Sequence, residues 1–145
     1  MYTDNIPDLS CFRLSLADFL RESHPERLND KRFISARSEM AAETYAQAVL
    51  NGSNDLEADE QAHRVLFRGL YFSKHDTLVN ILWNEFSNDI PEDDAKEAAM
   101  ILLPECESVF AKYPLSDDFA YEPEYELLYT ELTGTIELYL ESHTL

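Results

Sequence analysis

Apolar side chains recur at three- and four-residue spacings along nearly the whole chain, and this periodicity constrains the fold more than any other feature of the sequence. The strict alternation that is typical of strands is not sustained anywhere outside these patterns. Only three glycines and six prolines interrupt them in 145 residues. The pattern therefore predicts an all-α protein. Within residues 8–22, for example, one helical face carries Leu9, Phe12, Leu16, Phe19 and Leu20.

Turn and capping residues divide the chain into about six predicted helices. We place them at residues 8–22, 30–50, 54–72, 73–86, 89–103 and from 123 onward. Pro104 lacks an N–H group, so the helix is either kinked there or broken into two short helices, and we favour the break, with a separate short helix starting at Pro104. Helices this close in sequence favour an antiparallel bundle or a compact orthogonal array. The length predicts one domain, residues 1–145, with one core.

The negative charge is concentrated in the second half of the chain. The net charge is -18, and residues 75–145 hold two Lys and Arg against seventeen Asp and Glu, whereas residues 1–74 hold nine against twelve. A field of this sign repels nucleic-acid phosphates and anionic membrane surfaces, so we expect direct binding to neither. It favours a basic protein partner.

The stretch after residue 113 interleaves tyrosines with carboxylates. Tyrosine at an exposed position adds apolar contact area to charge, a combination that suits recognition of a basic protein. We therefore predict a partner-binding surface here, with nucleic-acid mimicry as a special case. The alternative interpretation is a solvated helix face with tyrosines in the core. The predicted contact residues are Asp117, Asp118, Tyr121, Glu122, Glu124, Glu126 and Tyr129.

A Glu-x-x-His step, Glu60 and His63, matches the ligand spacing of di-iron helical bundles. Such sites need a second Glu-x-x-His motif, and the sequence contains none. At 100° per residue, Glu60 lies about 160° from Ala62, which marks the centre of the apolar stripe. The spacing therefore predicts a surface glutamate and a half-buried packing histidine, with no metal site.

Thiol chemistry has little support in the sequence. Cys106 lies between Glu105 and Glu107, whose charges disfavour a thiolate, and Cys11 has no neighbouring base. Phosphate loops, nucleophile elbows and calcium loops are also missing from the sequence. We predict no catalytic residue, no cofactor and no metal, and keep an enzyme that uses His63 or Cys106 as the alternative.

Two further expectations concern assembly and location. The broad apolar face around Trp83 makes a structural homo-oligomer a second alternative. No stretch approaches the ~20 apolar residues that a membrane span needs, and the first ten residues have neither a basic nor an apolar signal region. We expect a cytoplasmic protein.

The stretch DLSCFRLSLADFLRESHPERLNDKRFISARSEMAAETYAQAVLNG, followed by the acidic helical remainder, resembles an uncharacterised family of short, acidic, all-helical bacterial proteins. That family is classed as a domain of unknown function. The resemblance implies a bacterial cytoplasmic setting, often near mobile elements, and raises the expectation of a protein that modulates other macromolecules. It implies no activity, substrate or ligand residues.

Overall fold

The computed structural model describes residues 9–143, and within them the chain is built from six α-helices and three short 3₁₀ turns, with no strand. This confirms the predicted all-α class. The 3₁₀ turns are Pro25–Arg27, Glu92–Asp94 and Phe119–Tyr121. The helices are α1 (Leu9–Ser23), α2 (Lys31–Leu50), α3 (Asp55–Phe67), α4 (Lys74–Glu85), α5 (Ala95–Phe110) and α6 (Glu124–His143).

The described chain divides into two compact units. Unit 1 contains residues 9–22 and 26–68, and unit 2 contains residues 23–25 and 69–143. The single domain over residues 1–145 stays a prediction.

In unit 1, α2 packs against α3 around small and aromatic side chains. Gly52, just after α2, has φ +98°, a left-handed backbone that glycine adopts readily after the end of a helix. Asn54 then caps α3 with a complete capping box, because its side chain accepts from Glu57 N–H while Glu57 accepts from Asn54 N–H. The buried apolar residues of this unit are Phe12, Leu16, Leu20, Ala41, Tyr45, Ala48, Ala58, Ala62 and Leu66.

Basic residues of the segment 21–37 are engaged inside unit 1. Nη1 of Arg37 donates to the carbonyl oxygens of Val65 and Arg68, at 3.2 and 2.6 Å. A cation at the end of α3 is favoured by the partial negative charge of a helix C-terminus. The Arg37 guanidinium also lies over the ring of Phe33. Part of the basic charge therefore stabilises this unit.

In unit 2, α4 packs against both α5 and α6, and most of its broad apolar face is covered by them. The shared core is large for a unit of this length. Its buried members on the three helices are Leu78, Val79, Ile81, Leu82, Ala95, Ala99, Leu102, Leu103, Cys106, Val109, Phe110, Leu128, Leu132 and Ile136.

Two boundary predictions are wrong. α5 continues through Pro104 to Phe110, with Pro104 on the exposed face of the helix, where the proline removes one backbone hydrogen bond without disturbing the packed core. α3 ends at Phe67 and not near residue 72, because Gly69 adopts φ +81° and turns the chain. Leu70 and Phe72 are buried in the connector between α3 and α4.

Candidate functional site

The carboxylates of unit 2 lie at its surface. Of its seventeen Asp and Glu side chains, fourteen are exposed, three are partly exposed and none is buried. The unit contains three lysines and no arginine, so its formal charge is -14. A buried charge needs a partner, so carboxylates in such excess over lysines are expected at the surface.

Lys74 and Lys112 pair with carboxylates of the same unit. Lys74 Nζ lies 2.7 Å from Glu107, and Lys112 pairs with Glu131. Exposed pairs of this kind contribute about 0–1 kcal/mol each to stability. Three lysines cannot balance seventeen carboxylates, so the unit keeps a large negative charge.

Asp117 anchors a loop. Its Oδ2 accepts from the backbone N–H of Gly69 at 2.9 Å, and its Oδ1 accepts from the N–H of Tyr71 at 3.0 Å. A carboxylate that accepts two backbone N–H groups is a strong structural contact. Asp118, the next residue, is exposed. The sequence predicts the same role for these two neighbouring carboxylates, but in the structure their environments differ.

The 3₁₀ turn Phe119–Tyr121 presents one aromatic side chain inward and one outward. Phe119 is completely buried and makes edge-on contacts with Phe72 and Tyr113. Tyr121, two residues later, is 88% exposed. Phe119 therefore fixes the turn, and Tyr121 projects from it next to Glu122.

Tyr113 bonds to Glu131, the carboxylate that also pairs with Lys112. Its hydroxyl donates to Glu131, and that hydrogen bond is the main reason that the pKa of Tyr113 rises to about 12. The bonds from Lys112 and Tyr113 lower the pKa of Glu131. Glu131 is therefore an engaged carboxylate at neutral pH.

Tyr129 links α6 to the end of α4. Its hydroxyl donates to Glu85 Oε2 at 2.9 Å and accepts from Asn84 Nδ2 at 3.2 Å. The ring is half-buried beside Tyr125. Desolvation raises the pKa of both tyrosines. Sequence reasoning missed Glu85, and no local pattern could have found it, since 44 residues separate it from Tyr129.

The predicted contact residues thus fall into two groups. Asp117 and Tyr129 bond to unit 2 itself and position the surface. The other five are exposed, at the 3₁₀ turn and the first turn of α6, and we call them the acidic patch. These five are Asp118, Tyr121, Glu122, Glu124 and Glu126.

His63 and Glu60, which belong to the enzyme alternative, lie on α3 and differ in their exposure. In unit 1, His63 is half-buried, contacts the rings of Phe12 and Phe67, and has Nδ1 2.9 Å from the carbonyl oxygen of Asp59. Glu60 is exposed. Among residues 9–143, no three His, Cys, Asp or Glu side chains are grouped so that they could hold a metal ion.

Cys106, in unit 2, is completely buried. Burial, together with the charges of Glu105 and Glu107, raises its pKa to about 11. At neutral pH it is a thiol, which is a weak nucleophile. Cys11 is exposed.

The chain belongs to the family described as a domain of unknown function, DUF1896, whose model matches residues 4–145. It is also similar to a solved structure, the crystal structure of protein PG0816 from Porphyromonas gingivalis. The two are 49% identical, the match covers 92% of this chain and 91% of that one, and the TM-score is 0.89. No match to this chain was found among curated proteins. Within residues 9–143, no helix combines the length and apolar character that crossing a bilayer requires.

Proposed function

We propose that this member of the DUF1896 family is a non-enzymatic interaction module whose acidic patch binds a basic surface of another protein. The setting we propose is the bacterial cytoplasm, in the neighbourhood of mobile elements. A special case is nucleic-acid mimicry, in which carboxylates on helices occupy the phosphate-binding surface of a basic protein.

The observation that carries this proposal is the charge of unit 2. This compact unit contains seventeen carboxylates, none of them buried, and three lysines. Such a surface attracts a positively charged partner and accelerates its association, and it repels other acidic surfaces.

The acidic patch adds an apolar contact to this charge. Tyr121 is almost fully exposed on a turn that the buried Phe119 holds in place. An exposed tyrosine on a rigid support loses little conformational freedom on binding, and buried aromatic anchors are typical centres of interfaces. Tyr121 is therefore the residue we expect to contribute most to affinity beyond charge.

The test is a comparison of two variants with the same change of charge. Glu122→Gln/Glu124→Gln/Glu126→Gln neutralises three exposed carboxylates of the acidic patch and its helix. Glu39→Gln/Glu43→Gln/Glu60→Gln neutralises three exposed carboxylates of unit 1. Full-length proteins are used to capture binding proteins from a bacterial lysate at low salt and at about 0.5 M salt, where screening between exposed charges is strong.

The proposal expects a basic protein that is retained at low salt, released at high salt and lost from the patch variant more than from the control variant. Tyr121→Ala should weaken the same complex by about tenfold or more. Capture that is insensitive to salt, or that is reduced equally by the two triple variants, would refute the assignment to the acidic patch.

A further inference from the structure

A small pocket lies just beyond the C-terminal end of α4. It has a volume of about 230 Å³ and is lined by Trp83, Ser87, Ile90 and Glu92. Trp83 is 41% exposed, the only large apolar side chain of α4 that faces solvent to this extent. Its Nε1–H donates to the carbonyl oxygen of Glu92 at 3.3 Å, which fixes the orientation of the indole ring.

The size of the pocket limits what it can hold. Pockets for small-molecule ligands have volumes of about 300–1,000 Å³. A pocket of about 230 Å³ with one aromatic wall is better suited to a single side chain of a partner.

The electrostatics of the pocket favour a cation. It lies at the C-terminus of α4, where the helix carries a partial negative charge. Residues 75–95 contain no Lys or Arg. All five carboxylates near the pocket in sequence are exposed, namely Glu85, Asp89, Glu92, Asp93 and Asp94.

We propose that this pocket receives an arginine side chain of the basic partner, with the guanidinium stacked on the indole of Trp83. The inference rests on the proposed function and adds an anchoring site to it. A planar guanidinium stacks on an aromatic face and sheds water more easily than an ammonium group, and tryptophan is the aromatic side chain that attracts cations most strongly. Lysine is accordingly the weaker ligand.

Tyr129, one of the predicted contact residues, connects α6 to the end of α4 that carries the pocket. The Tyr129 hydroxyl bonds to Asn84 and Glu85, the two residues that follow Trp83 in α4. The end of α4 and the N-terminal half of α6 are therefore neighbours within unit 2.

Trp83 is the only tryptophan in the chain, so its fluorescence reports directly on the pocket. We would titrate the full-length protein with a peptide of alternating arginine and serine, and with matched peptides that contain citrulline or lysine in place of arginine. Citrulline keeps the shape of arginine and removes its charge. Calorimetry measures the affinity independently of the fluorescence.

The arginine peptide is expected to change the Trp83 fluorescence in a saturable way. The citrulline peptide should give no saturable change, and the lysine peptide should bind more weakly than the arginine peptide. Trp83→Leu should weaken binding of the arginine peptide by about tenfold, and Trp83→Phe by less. Tyr71→Leu, an exposed tyrosine of unit 2 outside the acidic patch and the pocket, is the control that leaves the fluorescence response of Trp83 in place.

Two results would overturn the inference, and they differ in what they say about the proposed function. If calorimetry shows binding while the fluorescence of Trp83 stays unchanged and Trp83→Leu binds equally well, the acidic surface binds cations but the pocket does not. If none of the cationic peptides binds, the proposed function fails together with the pocket. The fluorescence and calorimetric comparison of the peptides uses the unaltered protein, so this part of the test does not depend on a variant that must fold.

Discussion

Neutralising Asp117 should destabilise unit 2, whereas neutralising its neighbour Asp118 should not. Asp117 accepts hydrogen bonds from two backbone N–H groups, those of Gly69 and Tyr71, and Asp118 is exposed. The changes Asp117→Asn and Asp118→Asn remove the same charge from adjacent positions. Any relief of repulsion within the acidic unit is therefore similar in the two variants.

The magnitude follows from the geometry. Hydrogen bonds to a charged group contribute about 1.5–3 kcal/mol each when well shielded. Asp117 is only partly buried and the two N–H groups belong to exposed residues, so water replaces part of each bond. An asparagine can accept one N–H but directs its own amide N–H₂ at the other. We therefore expect Asp117→Asn to cost about 2 kcal/mol, and Asp118→Asn to lie within about 0.5 kcal/mol of zero.

The assay is thermal and urea unfolding followed by the fluorescence of Trp83, which lies in unit 2 and so reports on that unit. For a unit of this size a loss of about 2 kcal/mol corresponds to a fall of roughly 8–16 °C in the melting temperature. Equal melting temperatures for the two variants would refute the role of Asp117 as an anchor. A fall in the Asp118 variant alone would reverse the assignment.

Four further predictions concern single residues and the overall charge. An added Cβ would meet no atom within 4 Å at Gly69, so Gly69→Ala should lose about 1–2 kcal/mol of stability from the positive φ alone. Gly134→Ala, within α6, should gain about 0.5–1 kcal/mol from higher helix propensity, and urea unfolding compares the two variants. A thiol reagent should label Cys11 and spare Cys106 in the native protein at pH 8, and labelling of both at one rate would contradict the burial of Cys106. The pKa of Tyr113 is raised above its unfolded value of 10, so its stabilising contribution is complete below pH 10 and is lost as the pH rises through about 12; Tyr113→Phe should lose this dependence in alkaline unfolding. Sodium chloride should raise the melting temperature of unit 2 by screening its charge of -14, and a fall would contradict the repulsion.

The helical class was predictable because the apolar periodicity is long and uninterrupted, and the caps followed from local chemistry. Asn54 and Gly52 act within a few residues of their own positions, so the sequence contains all the information that their roles need. Pro104 was different. The rule that proline ends a helix takes no account of which face the proline occupies, and Pro104 lies on the exposed face of α5, away from the packed core.

The details of the surface could not be predicted because they depend on partners distant in sequence. Asp117 meets residues 46 and 48 positions earlier, and Tyr129 meets Glu85 across 44 positions. Sequence spacing indicates only that tyrosines and carboxylates alternate. Which of them face solvent and which support the loop is decided by packing.

The predicted contact region combines residues that are bonded to unit 2 with residues that are exposed to solvent, and the first group supports the second. Repulsion within a surface of this charge destabilises the fold, so hydrogen bonds that hold nearby backbone in place offset part of that loss of stability. Asp117 and Tyr129 lie within the predicted contact region, yet their polar atoms are bonded to unit 2, where they hold the turn and the end of α4 in place. The exposed carboxylates and Tyr121 are thereby presented on a backbone that does not need to be ordered when a partner arrives. Since the ordering of side chains and loops is a main cost of association, a rigid acidic surface can bind with fewer contacts than a flexible acidic tail of the same charge.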